Sequence, residues 1–247
     1  MPDDIQIDDA WESGSLAGGT SSEVEKLESR ASLTEDLALA QLADRDLSSG
    51  AVEQISRNSA VMKSRKVRLA LAAHPRTPRR IALRLIRELY TFELMRFALT
   101  STAAADLRRV ADELLLSRLT SITLGERISL ARRCSELVAG ELLLDKETPI
   151  WQAALDNPRL TESAVAKALQ RSGATPALVG VVCHHATWSA RPEIRIALLR
   201  NQHTPLAKAL EFARGLPPTQ LRNILPASRL PEKIKSYLRK DLLKAES

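Results

Sequence analysis

Apolar positions recur at i, i+3, i+4 and i+7 through most of the chain after residue 33, the spacing of one buried helix face. Between residues 78 and 89, Ile81, Leu85 and Leu89 fall on one side, with Arg80, Arg84 and Arg87 elsewhere. Residues 161–171 offer Val165, Ala168 and Leu169 in the same way. Small residues (Ala70, Ala73, Ala82, Ala164, Ala168, Ala197, Ala209) let neighbouring helices approach closely. No strand-like run of β-branched and aromatic residues occurs, so the pattern predicts an all-α protein.

The pattern also repeats. A short apolar helix, a break and a second apolar helix are read in Val67–Leu85 (VRLALAAHPRTPRRIALRL), Trp151–Leu169 (WQAALDNPRLTESAVAKAL) and Ile194–Leu210 (IRIALLRNQHTPLAKAL). From His74-Pro75 to Asn157-Pro158 is 83 residues, and from there to Asn201-Gln202 is 44, so the first gap is close to two of the second. A degenerate copy is expected midway, over Leu107–Arg133, and a fifth where Leu42–Val52 aligns with Leu155–Val165 without a gap. A period near 42 to 44 predicts an α-solenoid, a superhelix of stacked helix pairs. One repeat cannot bury its own face, so residues 214–247 are expected to form a terminal cap of two helices, around Pro218–Leu225 and Pro231–Leu243.

The break has a physical logic. Pro after Asn or His cannot continue the first helix, and the residue before it is pushed extended. Thr then caps the next helix, and Pro after Thr sits where its missing N–H costs nothing. Four helix starts are therefore expected at Thr77-Pro78, Thr148-Pro149, Thr175-Pro176 and Thr204-Pro205.

The block resembles HEAT-like repeats of bacterial type, close to the leucine-rich-repeat-variant class, whose motif is roughly Val-Arg-x-Ala-Leu-Ala-x-Asn-Pro-x-Thr-Pro. Val67 to Pro78 matches it best and departs at His74; Ile194 to Pro205 departs at Gln202. The resemblance covers about residues 34 to 247 and implies the stacked fold, while saying almost nothing of function. Some proteins of the variant class carry an iron–sulfur cluster on four cysteines. This chain has two cysteines, so no cofactor is expected.

Charge divides the chain. Residues 1–33 hold eight acidic residues against Lys26 and Arg30, a net of −6, with a linker-like stretch over Gly14–Ser22. This arm is expected to be disordered. It has neither the basic start nor the apolar core of a secretory signal, and no run reaches the roughly 18 apolar residues that span a membrane. A soluble, cytoplasmic protein is expected. The whole chain carries +6, so residues 34–247 carry +12.

Much of that charge is arginine: Arg76, Arg79, Arg80, Arg84 and Arg87 lie within twelve residues. If each second helix of a pair faces inward, Arg80, Arg84, Lys167, Arg171, Lys208 and Arg214 converge on one surface. The plain alternative is a solvated outer face. A functional basic surface would take an acidic protein segment, a nucleic acid, or the chain's own acidic arm as an autoinhibitor. Tyr90, Phe92, Met95 and Phe97 are read as packing between repeats, with a partner hot spot as the alternative.

Catalytic patterns are thin. A HEAT-like class of DNA glycosylases binds duplex DNA in a basic groove, and its chemistry would need a carboxylate beside aromatics, as in Trp151 with Asp156 or Trp188 with Glu193. Asp156 belongs to the repeat's turn, however, and Trp151 to an apolar repeat position. Cys183, His184 and His185 are the only clustered soft ligands, but neighbours on a helix point about 100° apart, and structural zinc wants four ligands. No phosphate loop, nucleophile elbow or His-Glu-x-x-His occurs. The expectation is a non-catalytic scaffold for protein–protein interaction, without cofactor or metal. A duplex nucleic-acid binder is the alternative, since aromatics are too few, at 3%, for stacking single strands.

Overall fold

The computed structural model describes residues 33–245, so the acidic arm, Leu33 apart, lies outside the described residues. Within them are fifteen α-helices, a short 3-10 turn at Val61–Lys63 and no strand. The helices are α1 (Glu35–Ala43), α2 (Ser49–Arg57), α3 (Arg65–Ala73), α4 (Arg79–Glu88), α5 (Thr91–Ala98), α6 (Ala105–Arg118), α7 (Leu124–Ala131) and α8 (Glu136–Leu142). They continue with α9 (Thr148–Leu155), α10 (Glu162–Gln170), α11 (Pro176–His184), α12 (Pro192–Arg200), α13 (Leu206–Arg214), α14 (Pro218–Ala227) and α15 (Glu232–Ala245).

Most helices stack on the next but one. α4, α6, α8, α10, α12 and α14 form one row, each packed on its neighbour. In the other row α3 packs on α1 and α5, α7 on α9, and α13 on α15. Contacts such as α3 with α4, α5 with α6 and α12 with α13 join the rows. This packing is consistent with a helical repeat. The core between the rows is apolar and small-residue rich: Ala82, Ala111, Ala131, Ala139, Ala154 and Ala209 are fully buried beside Leu71, Leu85, Ile86, Phe97 and Phe212. Each large side chain so buried contributes about 1.5–3 kcal/mol.

The helix pair recurs faster than the sequence spacing implies. The 44 residues from Asn157 to Asn201 hold three helices, α10, α11 and α12, and the second helix of successive pairs starts at 49, 79, 105, 136, 162, 192 and 218. The pair therefore recurs every 26 to 31 residues. The break between α11 and α12 escapes the motif because His185 is followed by Ala186 rather than Pro. Its Nδ1 nonetheless accepts from the N–H groups of Thr187 and Trp188, as a turn Asn would. A longer repeat is also present. Helices starting at 35, 49, 65, 79, 91 and 105 are matched, each 127 residues on, by helices starting at 162, 176, 192, 206, 218 and 232.

The breaks are held by buried polar side chains. Asn157 donates to the carbonyls of Ala131 (2.8 Å) and Cys134 (3.1 Å) and accepts from Arg159 N–H (2.9 Å). Asn201 donates to Leu169 O (2.5 Å) and accepts from His203 N–H (2.8 Å). His74 performs the same two tasks with its two ring nitrogens, Nε2 on Asp44 O (2.8 Å) and Nδ1 on Arg76 N–H (3.2 Å). Each therefore shapes its own turn and ties it to an earlier repeat.

All four Thr-Pro pairs mark helix starts, by three different means. Thr175 accepts from Leu178 N–H and Pro176 opens α11. Thr148 is already inside α9, as its first residue, with Pro149 in the first turn. At the other two the proline is the cap residue, and the buried Thr77 and Thr204 hydroxyls donate backwards to Leu71 O and Leu198 O. Ser48 and Thr161 cap α2 and α10 alike, as the ungapped alignment of Leu42–Val52 with Leu155–Val165 requires.

One charge is buried at a cost. Asp112 on α6 is 8% exposed and accepts from the Ser135 hydroxyl that caps α8 (2.7 Å). Burial raises its carboxyl above the usual range, against the Ser135 hydrogen bond and the nearby Arg108 charge. A raised folded pKa means that stability gained by protonation is present below the ordinary carboxylate value and lost as pH rises through the folded one. Asp112→Asn, which keeps an acceptor for Ser135, is expected to raise the melting temperature at pH 7 and to change it little at pH 3. A lower melting temperature at pH 7 would mean that the ionised carboxylate is net stabilising.

Candidate docking face

α4 owes its placement to both ends. Its first turn follows the His74–Thr77 break, and its last carbonyls are held by Arg118 of α6, which donates to Leu89 O (2.6 Å) and Arg87 O (3.1 Å). Ala82, Leu85 and Ile86 turn inward and are buried. The outward side carries Arg80, Leu83, Arg84 and Arg87 at i, i+3, i+4 and i+7, a stripe along one helix face. Arg80, Arg84 and Arg87 are exposed and Leu83 is half-buried between them. Neither these three nor the exposed Arg76 forms an ion pair among the described residues.

The other predicted cations differ. Arg79 bonds Asp106 of α6 (2.9 Å) and so ties α4 to its neighbour. Arg171 pairs with Glu141, Lys208 with Glu211 (2.8 Å), and Arg214 holds Asp241 through two nitrogens. Lys167 is exposed and unpaired, but on α10, three stacked helices from α4 and so roughly 25–30 Å away at 8–10 Å per step. Lys208 and Arg214 lie on α13, which belongs to the other row with α15 and packs across the rows on α12. The nine candidates thus do not converge: the three-helix step between the second and third copies places α13 in the row opposite α10. Along the α4 row, α8 and α10 also carry Glu136, Glu141 and Glu162, each engaged with a neighbour.

A second basic surface was not legible in the sequence. Arg45, Arg65, Lys66 and Arg96 surround an open groove between α1, α3 and α5, floored by Leu39, Leu42 and Leu69. These cations come from separate segments, so no local pattern announces them. Tyr90 and Phe92 are exposed near one another in sequence, while Phe97 is fully buried and Met95 nearly so. The Tyr90 ring carries the Arg65 guanidinium 3.5 Å from its centre. The aromatic cluster is therefore split between core and surface.

The catalytic constellations take other roles. Trp151 is buried, while Asp156 caps α9 at the surface. Trp188 is buried, its indole N–H donating to Leu155 O (3.1 Å), and Glu193 is exposed. Among the described residues no group of three or more His, Cys, Asp or Glu is placed to hold a metal. His184 turns back onto Gly180 O, away from the buried Cys183. Burial pushes the Cys134 thiol up to about 12, with the Asp112 charge adding to it, and Cys183 up to about 11. Both thiols are expected to be inert to a disulfide reagent such as DTNB in the folded protein and to titrate as two after unfolding; rapid native reaction would show that the core opens locally.

No helix among the described residues is long and apolar enough to cross a membrane. Comparison with protein-family models, with curated proteins and with solved structures found no match.

Proposed function

We propose that the chain is a non-catalytic interaction module that docks a short acidic segment of a partner protein on the outer face of α4. The observation that carries this reading is the unpaired arginine stripe. Of the predicted cations, Arg79, Arg171, Lys208 and Arg214 are engaged by carboxylates of the fold. Arg80, Arg84 and Arg87 are left for something else, with an apolar strip at Leu83 between them.

An arginine fork matches a carboxylate bidentately, and Leu83 offers contact to an apolar residue among the acids. The length of the stripe favours a peptide over a duplex. Seven residues of helix span about 10 Å, which covers only a few phosphates, and α8, the next helix of the row beyond α6, carries Glu136 and Glu141. Duplex nucleic acid remains the second reading because backbone phosphates need nothing beyond exposed arginine. The test is fluorescence anisotropy of the full-length chain with a labelled Glu/Leu-mixed acidic peptide, duplex DNA and duplex RNA across a salt series. Preference for the peptide at physiological salt supports the proposal. A tighter duplex with a steep salt slope replaces it with the nucleic-acid reading, and no binding to any of them even at low salt leaves the stripe as solvated surface.

A further inference from the structure

Because six helices recur 127 residues apart, the same groove occurs twice. In the second half it is lined by Leu169, Gln170, Arg200, Asn201, Ala227 and Arg229. Moved back by 127, these positions are Leu42, Ala43, Ala73, His74, Thr100 and Thr102, all of which line the groove between α1, α3 and α5. The two copies have diverged in what fills them. In the second, the Arg229 guanidinium reaches Gln170 O (3.4 Å) while the Arg229 backbone N–H donates to Arg200 O (3.0 Å), and the cavity is about 170 Å³. In the first, Ala73 and Thr102 stand where those two arginines would be, and it opens to about 540 Å³.

The rim has changed as well. Arg45, Arg65, Lys66 and Arg96 border the first groove, where the second half has Ser172, Pro192, Glu193 and Asn223. Arg45 and Arg96 are exposed and form no ion pair among the described residues. Arg65 and Lys66 reach Glu93 and Glu35 only at 3.9 Å. The first groove is thus an apolar floor inside a rim of four cations and Glu93, with Ala73 and Thr102 in place of the two arginines of its twin.

The sequence carries a segment of complementary chemistry upstream of α1. Residues 3–12 read Asp-Asp-Ile-Gln-Ile-Asp-Asp-Ala-Trp-Glu, five acids and no base with Ile5, Ile7 and Trp11 between them. This stretch leads to Thr34, the cap of α1, and α1 is a wall of the groove. About twenty residues separate the two, and a flexible chain of that length has an end-to-end distance of roughly 25 Å. α1 itself is only about 13 Å long, so the groove is within reach.

We propose that residues 3–12 dock in cis in the groove between α1, α3 and α5, with Ile5, Ile7 and Trp11 on the floor and the acids against Arg45, Arg65, Lys66 and Arg96. The groove shares no residue with the α4 stripe, so this proposal stands or falls separately from the docking reading. It also places the acidic arm away from α4, leaving that face open rather than autoinhibited.

Trp11 is a built-in reporter, because Trp151 and Trp188 are 2% and 5% exposed. The difference between the full-length chain and its Trp11→Phe variant isolates the Trp11 signal. Expected are blue-shifted emission and a several-fold loss of acrylamide quenching relative to a free peptide of residues 1–14. Arg45→Glu, Lys66→Glu and Arg96→Glu together should return quenching to the peptide's level. The arm variant Asp3→Asn, Asp4→Asn, Asp8→Asn, Asp9→Asn and Glu12→Gln should do the same without touching the helical stack. Trp11 as quenchable as the free peptide overturns the proposal. So does release by Arg80→Glu, Arg84→Glu and Arg87→Glu, which would put the arm on α4. Protection that grows with protein concentration overturns it too, since the segment would then sit on a second copy.

Discussion

Reversing Arg80, Arg84 and Arg87 to Glu is expected to abolish acidic-peptide binding while leaving helix content and melting temperature unchanged. All three side chains point away from the core and are tied to no carboxylate. An exposed ion pair contributes about 0.2–1 kcal/mol. Reversal both removes three attractions and installs three repulsions, so a loss of about 3 kcal/mol, roughly a hundredfold in Kd, is reasonable. The effect should shrink as salt rises, because such charges are screened over about 10 Å at 0.1 M. Arg79→Glu should behave differently, lowering the melting temperature through a repulsive contact with Asp106 of α6. Unchanged peptide affinity in the triple variant would remove α4 as the docking face. Equal losses in the triple variant and in Lys167→Glu would mean that only overall charge matters.

Asn157→Ala is expected to be the most damaging single polar substitution. The side chain is 3% exposed and satisfies two buried carbonyls and one N–H at once. Each partner left without a bond costs about 1–3 kcal/mol. Allowing for some relaxation, the total is about 3–4 kcal/mol, and at about 2–4 °C per kcal/mol for a chain of this size the melting temperature falls by roughly 10 °C. His74→Asn provides the contrast. His74 already accepts from the residue two positions on and donates to an earlier repeat, as the two asparagines do. The substitution should cost under about 1.5 kcal/mol, the range of a tolerated core swap. Thermal denaturation of both variants tests the pair. A mild Asn157→Ala would show that water replaces the lost bonds, and a severe His74→Asn would show that the imidazole's length is needed to reach Asp44.

The helices themselves were legible because their signals are local. Apolar spacing, the cap residues Ser48, Thr161 and Thr175, and the proline breaks act over four or five residues. The unpaired stripe was legible for the same reason, since Arg80, Arg84 and Arg87 lie on one helix. The period was not legible because the break at His185 performs the turn's hydrogen bonding without the turn's usual residues. For the same reason the sequence does not show that Lys208 and Arg214 lie in the opposite row from Lys167.

The sequence by itself determined that the chain is all helical, where its proline-marked breaks fall and which face of a helix such as α4 is apolar, since these follow from side-chain periodicity and capping within each segment. Only the tertiary structure decided how many helices separate the copies, which arginines are consumed by carboxylates of neighbouring helices, and which remain available. It alone brought Arg45, Arg65, Lys66 and Arg96 around one groove, and it alone showed that the twin groove is closed by Arg229. The physical reason is range: a cap or a turn is satisfied within its own few residues, whereas an ion pair such as Arg79 with Asp106, or a groove between α1, α3 and α5, exists only once separate segments have been stacked side by side.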